Sequence, residues 1–227
     1  MPTKARAVDY VYTTSTEPVT SYLATVLKSH LQSGERVVWL LSGGSGAKVC
    51  LEVAKRLHDN DLSNLYVTLS DERYGTVGHA DENWQQLLDE GFSLPAATLY
   101  RPLQGLDREE TTKHFAAWLD EHIKAADYAV GLFGIGPDGH TAGIKPGSTA
   151  TEATTWAADF TGADFERITV TFPAIDALNE AVIQAMGNDK AVTIEQLLHT
   201  DTALSIQPAQ VLKTVKKSTL YTDYREV

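Results

Sequence analysis

The sequence predicts an α/β protein: a three-layer, doubly wound, mostly parallel sheet with helices on both faces. Three observations predict it. Short apolar runs alternate with helical stretches from one end of the chain to the other. Two of those runs, 36–41 and 128–133, are apolar almost throughout, as strands buried on both faces are. Glycine-rich or charged loops follow the predicted strands at 43–45, 71–73, 134–140 and 187–190. In sheets of this kind ligands bind outside the carboxyl ends of the strands.

Residues 8–13 alternate and carry β-branched and aromatic side chains, so they read as the first strand. Pro18 opens a helix with Thr16 or Glu17 near its cap. Tyr22, Leu23, Val26, Leu27 and Leu31 share one face of it, and Gly34 ends it. The strand at 36–41 passes through Ser42-Gly43-Gly44-Ser45-Gly46 into a helix at 47–58. The next strand, 65–69, ends in Ser70-Asp71-Glu72-Arg73, and a polar loop at 74–83 leads to a short helix through Trp84 and Leu88. A strand at 98–103 precedes a helix capped by Asp107 and carrying Phe115, Trp118, Leu119 and Ile123. After the strand at 128–133, residues 145–155 are irregular around Pro146 and Gly147. Then come a strand at 167–172, a helix from Pro173 through Ala177, a strand at 181–186 and a helix at 189–198. A short element after Pro208 and a strand at 219–222 complete the Rossmann-like pattern. No repeat or linker divides it, so one domain over 1–227 is expected.

The 227 residues carry 30 acidic against 19 basic side chains, a net charge of -11. That balance argues against nucleic acid or an anionic membrane as partner, but not against a small anionic substrate. The one cysteine, Cys50, permits no internal disulfide and points to a reducing compartment. Its place among Val49, Leu51 and Val53 makes it a buried structural thiol. No apolar run reaches membrane-spanning length. Residues 1–10 lack the apolar core of a signal peptide, so a cytoplasmic protein is expected. His30, His58, His114, His122 and His199 fall on or beside predicted helices and read as surface residues. No His, Cys and Asp spacing suits a metal, so no metal and no cofactor are expected. The oligomeric state is left open between a monomer and a small homo-oligomer.

The most informative stretch is Gly134-Ile135-Gly136-Pro137-Asp138-Gly139-His140-Thr141-Ala142. Histidine exchanges protons closest to neutral pH, and Asp138 is near enough in sequence to orient His140. A structural loop histidine is the alternative. The segment also fits G-x-G-x-x-G, but a dinucleotide turn needs a helix straight after it, and Gly143, Pro146 and Gly147 forbid one. The stretch at 42–46 joins strand to helix, so it is either a phosphate cradle of free N–H groups or a tight turn with Ser45 as N-cap. Without a Lys-Ser/Thr pair it is no P-loop. It matches a G-x-S-x-G nucleophile elbow poorly, since Ala47 stands where the last glycine belongs. In Asp71-Glu72-Arg73, strand alternation sends Asp71 and Arg73 to one side and Glu72 to the other. This is either a site for an anionic group or a solvated charge loop. Arg167 and Lys190 are isolated cations at element ends. Lys190 opens a predicted helix, where a cation opposes the helix dipole and a bound anion would account for it; an ordinary surface lysine is the alternative.

Together these segments resemble the 6-phosphogluconolactonases, within the larger group that includes glucosamine-6-phosphate deaminase. The resemblance covers residues 40–221 and rests on the stretches 41–45, 70–74, 134–142, 167–171 and 187–191. It implies that water opens a lactone ring. His140 would be the base, with Asp71 and Asp138 near the reacting centre and Arg73 on the substrate or developing oxyanion. A 6-phosphate would rest on Gly43, Gly44, Ser45, Arg167 and Lys190. The chain departs from the pattern at Gly46-Ala47, usually Thr-Pro, and at Glu82, usually serine. Lys145 stands where the lactonases have an aromatic and the deaminases a glutamate that supports the histidine, a task a lysine is not expected to share. Arg73 stands where the deaminases have tyrosine. Both differences favour the lactonases. A deaminase and a non-catalytic sugar-phosphate sensor are the alternatives.

Overall fold

The computed structural model describes residues 7–225, so the reading of residues 1–6 lies outside it. The first half of the chain contains β1 (Asp9–Tyr12), α1 (Glu17–Gln32), β2 (Val37–Leu41), α2 (Ala47–Leu57), β3 (Leu65–Leu69), β4 (Asp71–Arg73) and α3 (Asn83–Asp89). The second contains β5 (Thr98–Leu99), α4 (Arg108–Ala125), β6 (Tyr128–Gly134), β7 (Ala157–Thr161), β8 (Glu166–Val170), α5 (Phe172–Asp176), β9 (Glu180–Ala185), α6 (Ala191–His199) and β10 (Lys217–Thr222).

Seven strands form a parallel sheet in the order β1-β10-β9-β6-β2-β3-β5. From β2 the chain steps outward through β3 and β5. It then returns to the other side of β2 and steps outward again through β6, β9 and β10. The reversal leaves a crevice between β2 and β6 at their carboxyl ends. Helices cover both faces. Val38 and Leu40 of β2 pack with Phe115, Leu119 and Ile123 of α4. The intervening Val37, Trp39 and Leu41 pack with Leu23 and Leu27 of α1 and Val49, Val53 and Leu57 of α2. All five β2 side chains are buried, each contributing roughly 1.5–3 kcal/mol, which accounts for an apolar run with no alternation.

Several expectations are corrected. The strand at 98–103 is only Thr98–Leu99. Pro102 has no N–H for a ladder, and Arg101 turns to a two-point ion pair with Glu82, Nε to Oε1 2.6 Å. The strand at 167–172 does not join the parallel sheet. It is β8, the centre of a small antiparallel sheet, β4-β8-β7, whose outer strand β7 has a sequence too weakly alternating to be read. Asp71-Glu72-Arg73 is accordingly strand β4 rather than a loop. The helices after 46 and 187 each begin with a 3-10 turn, Gly44–Gly46 and Asn188–Lys190, and Thr149–Glu152 forms another within the irregular stretch. Cys50 is fully buried, and burial pushes its thiol up to about 12. His58, His114 and His199 are exposed, but His30 and His122 are half-buried, stacked on Tyr128 at 3.7 Å and on Trp118 at 4.4 Å.

Alternation in β4 does as expected, and Glu72 turns inward. One of its oxygens accepts the N–H groups of Arg73 at 2.8 Å and Asn83 at 2.6 Å, and the other accepts that of Trp84 at 3.0 Å. Burial pushes this carboxyl up to about 8, while the three backbone donors pull it down. Its acceptors tie α3 to β4. Glu72→Gln turns an amide NH2 toward one of those donors, and should lower the unfolding free energy by about 1–3 kcal/mol. Urea denaturation measures this; an unchanged midpoint would contradict the anchoring role.

Candidate active site

The loops after β2, β3, β6 and β9 leave neighbouring strands at one edge of the sheet, and they surround a cleft of about 270 Å³. Eight of the nine residues singled out in the sequence line it: Gly43, Gly44, Ser45, Asp71, Arg73, His140, Arg167 and Lys190. The ninth, Asp138, lies behind His140 and contacts its ring.

The loop after β6 closes on itself. The Gly136 N–H donates to the His140 carbonyl at 3.0 Å, and the Gly139 N–H donates to that of Gly136 at 2.9 Å, with Gly139 at φ 83. Asp138 Oδ1 accepts the His140 N–H at 3.2 Å and contacts His140 Nδ1. Partial burial pushes the Asp138 carboxyl up, but the adjoining His140 and Lys145 outweigh it and hold the group below the usual carboxylate range. A Cβ on Gly136 would lie 2.1 Å from both Cε1 and Nδ1 of His140, so the imidazole sits over bare backbone. No helix follows. Thr141 and Ile144 bridge across a tight turn in which Ala142 adopts φ 48, which rules out the dinucleotide geometry.

The small sheet brings the next group. Its register sets Arg73 opposite Arg167 and Asp71 opposite Thr169. Arg167 is 8% exposed and reaches Asp71 at 3.7 Å and Asp164 at 2.7 Å. Both guanidinium groups lie over the Phe165 ring, Arg73 at 4.8 Å and Arg167 at 5.5 Å. Burial pushes the Asp71 carboxyl above its usual range against the pull of Arg167, His140 and Arg73. A solvated charge loop is therefore the wrong description of 71–73.

Gly43 presses against Asn83, whose Oδ1 would be 2.4 Å from a Cβ there, and Gly44 adopts φ 53. Ser45 caps neither the 3-10 turn nor α2. No hydrogen bond joins it to a histidine among the described residues, so no Ser–His pair is formed there. Lys190 lines the cleft at the N-cap position of α6 and is half-buried rather than a free surface lysine.

Sequence reasoning passed over two residues of this cleft. Asn83, the last residue of the polar loop read at 74–83, donates to the Asp71 carbonyl at 3.1 Å. Lys145 registered only as a departure. The turn at 141–144 folds it back so that its Nζ is 3.1 Å from His140 Nδ1 and 3.3 Å from Asp138 Oδ2. It does therefore touch the histidine. Arg73, Lys145, Arg167 and Lys190 face the cleft against a single lining carboxylate among the described residues, Asp71, in a chain of net charge -11. Such a cleft can hold an anion and place a proton acceptor beside it. Among the described residues no group of three or more His, Cys, Asp or Glu side chains could hold a metal. No helix among them is long and apolar enough to cross a membrane.

The chain is a doubly wound α/β sheet with a cationic cleft at its switch point, and that cleft holds a histidine backed by an aspartate. It belongs to the family described as glucosamine-6-phosphate isomerases/6-phosphogluconolactonase, whose model matches residues 13–221. A probable chloroplastic 6-phosphogluconolactonase 4 of Oryza sativa is 28% identical over 179 residues, 70% of this chain and 55% of that protein. The chain thus spans about half the length of that relative. A 6-phosphogluconolactonase of Chlamydia muridarum is 24% identical over 78% of this chain and 71% of its own. The fold matches the crystal structure of 6-phosphogluconolactonase from Thermotoga maritima with a TM-score of 0.81 at 18% identity, over 96% of this chain and 99% of that one. It matches a 6-phosphogluconolactonase from Shewanella baltica with a TM-score of 0.77 at 21% identity, over 97% of each.

Gly136→Ala should push the His140 ring off Asp138 while leaving the far-ultraviolet circular dichroism unchanged. The ring-proton resonances of His140 should move, and turnover needing this base should fall about 10²-fold or more. Unmoved resonances would show that the ring does not rest on the Gly136 backbone.

Proposed function

We propose that the protein is a one-domain hydrolase that opens 6-phospho-D-glucono-1,5-lactone to 6-phosphogluconate, a step of the pentose phosphate pathway, with His140 as base. The observation that carries this reading is the His140–Asp138 pair at the wall of a cleft with four cations. When His140 Nδ1–H donates to Asp138, Nε2 is left as the basic nitrogen. Water attacks the lactone carbon C1 and gives its proton to Nε2, and Asp138 stabilises the imidazolium. The carbonyl oxygen becomes an oxyanion, for which Arg73 is the nearby donor. The C1–O5 bond then breaks, O5 takes the proton from His140, and the carboxylic acid formed at C1 ionises in water. Gly43, Gly44, Ser45, Arg167 and Lys190 hold the 6-phosphate, which fits the convergence of two cations and a glycine turn on one cleft. Asp71, between Arg167 and the reacting centre, keeps Arg167 in place. The reaction needs no metal or cofactor. We place it in the cytoplasm, a reducing compartment that suits the single buried thiol.

Lactone generated in place by glucose-6-phosphate dehydrogenase should disappear faster with the protein than by spontaneous hydrolysis. His140→Ala should lower kcat/KM by about 10²–10⁴-fold. Lys190→Ala should raise KM about tenfold, the worth of one charge-assisted hydrogen bond to phosphate. A fully active His140→Ala protein would sink the mechanism. Ammonia release from glucosamine 6-phosphate would instead assign the isomerase chemistry, and tight 6-phosphogluconate binding without turnover would assign a sensor.

A further inference from the structure

Lys145 takes no step in the hydrolysis above, yet its Nζ is 3.1 Å from Nδ1 of the base, His140. An ammonium has three N–H donors. Asp138 Oδ2, at 3.3 Å, accepts one of them. The ring nitrogen cannot accept a second while it donates its own hydrogen to the other oxygen of Asp138. At least one donor of Lys145 is therefore uncommitted. The side chain is 29% exposed and lines the cleft. It also borders a wider groove on its other side. That groove carries Asp138, Asp159 and Asp164, and its arginine, Arg108, is committed to Asp159 at 2.7 Å and Glu166 at 2.6 Å. An anion reaching Lys145 is thus favoured from the cleft and opposed from the groove.

Hydrolysis of a lactone changes charge in one place. The ester carbon is neutral in the substrate and becomes a carboxylate in the product, at the atom that His140 serves. Resting on the lactonase reading, we propose that Lys145 is a second anion-holding point, at the chemical end of the cleft, which grips the C1 carboxylate of the product. The phosphate cations hold substrate and product alike, whereas Lys145 discriminates between them. The residue thus sets how tightly the product is kept, and through it the rate of release.

The test is calorimetric titration with two ligands of equal length and equal phosphate, 6-phosphogluconate and glucitol 6-phosphate, which lacks the carboxylate. Lys145→Met should weaken 6-phosphogluconate binding about tenfold, and leave glucitol 6-phosphate within about twofold, since only one charge-assisted contact is removed. Lys145→Arg, which keeps the charge, should retain most of the affinity for 6-phosphogluconate. Equal weakening of both ligands, or none, would overturn the inference while leaving the lactonase reading intact. Failure of the unsubstituted protein to bind either ligand would overturn both.

Discussion

Parallel strands all end on the same edge of their sheet, and a reversal of winding leaves the middle of that edge uncovered. Here the reversal falls between β2 and β6. The loops after β2 and β6 diverge from it to opposite sides, and those after β3 and β9 flank them. Four segments separated by tens of residues thus meet without any of them needing to recognise another. The strands that set the arrangement are packed on both faces, and the loops take their positions from the strand ends.

The small antiparallel sheet solves a different problem. A loop of charged residues would hold Asp71 and Arg73 loosely. Paired with β8, they are held in register with Thr169 and Arg167. Their alternation sends Glu72 the other way, into a buried set of backbone donors that anchors α3 and, through Asn83, the wall behind Gly43. One three-residue strand therefore serves both the site and the packing behind it. Phe165 gives the two guanidinium groups a common platform and keeps like charges side by side.

The electrostatics run against the composition. A chain of net charge -11 turns four cations into one cleft. Asp138 is shared between His140 and Lys145, one on each carboxylate oxygen, so a single aspartate orients the imidazole and anchors the neighbouring ammonium. Gathering these four cations at one cleft gives it a local field opposite in sign to the net charge of the chain.

The order and kind of most elements were legible in the sequence, because burial on two faces or one imposes periods that local composition records. The continuous apolar run of β2 and the capped face of α4 are examples. The glycine loop, the histidine and the two isolated cations were legible for the same reason: their chemistry is local. What the sequence left undecided depends on distance in space. Whether 167–172 enters the main sheet turns on which strand offers a free edge, and β4, too short and charged to declare itself, offers it. Lys145 read as a mismatch, since nothing in Gly143-Ile144-Lys145 shows that Ala142 takes a left-handed turn and returns the ammonium to the histidine. Residue types and local periods determine what each segment can do; only the folded chain decides which charges share a cleft, because electrostatic and hydrogen-bond partners are chosen by proximity in three dimensions.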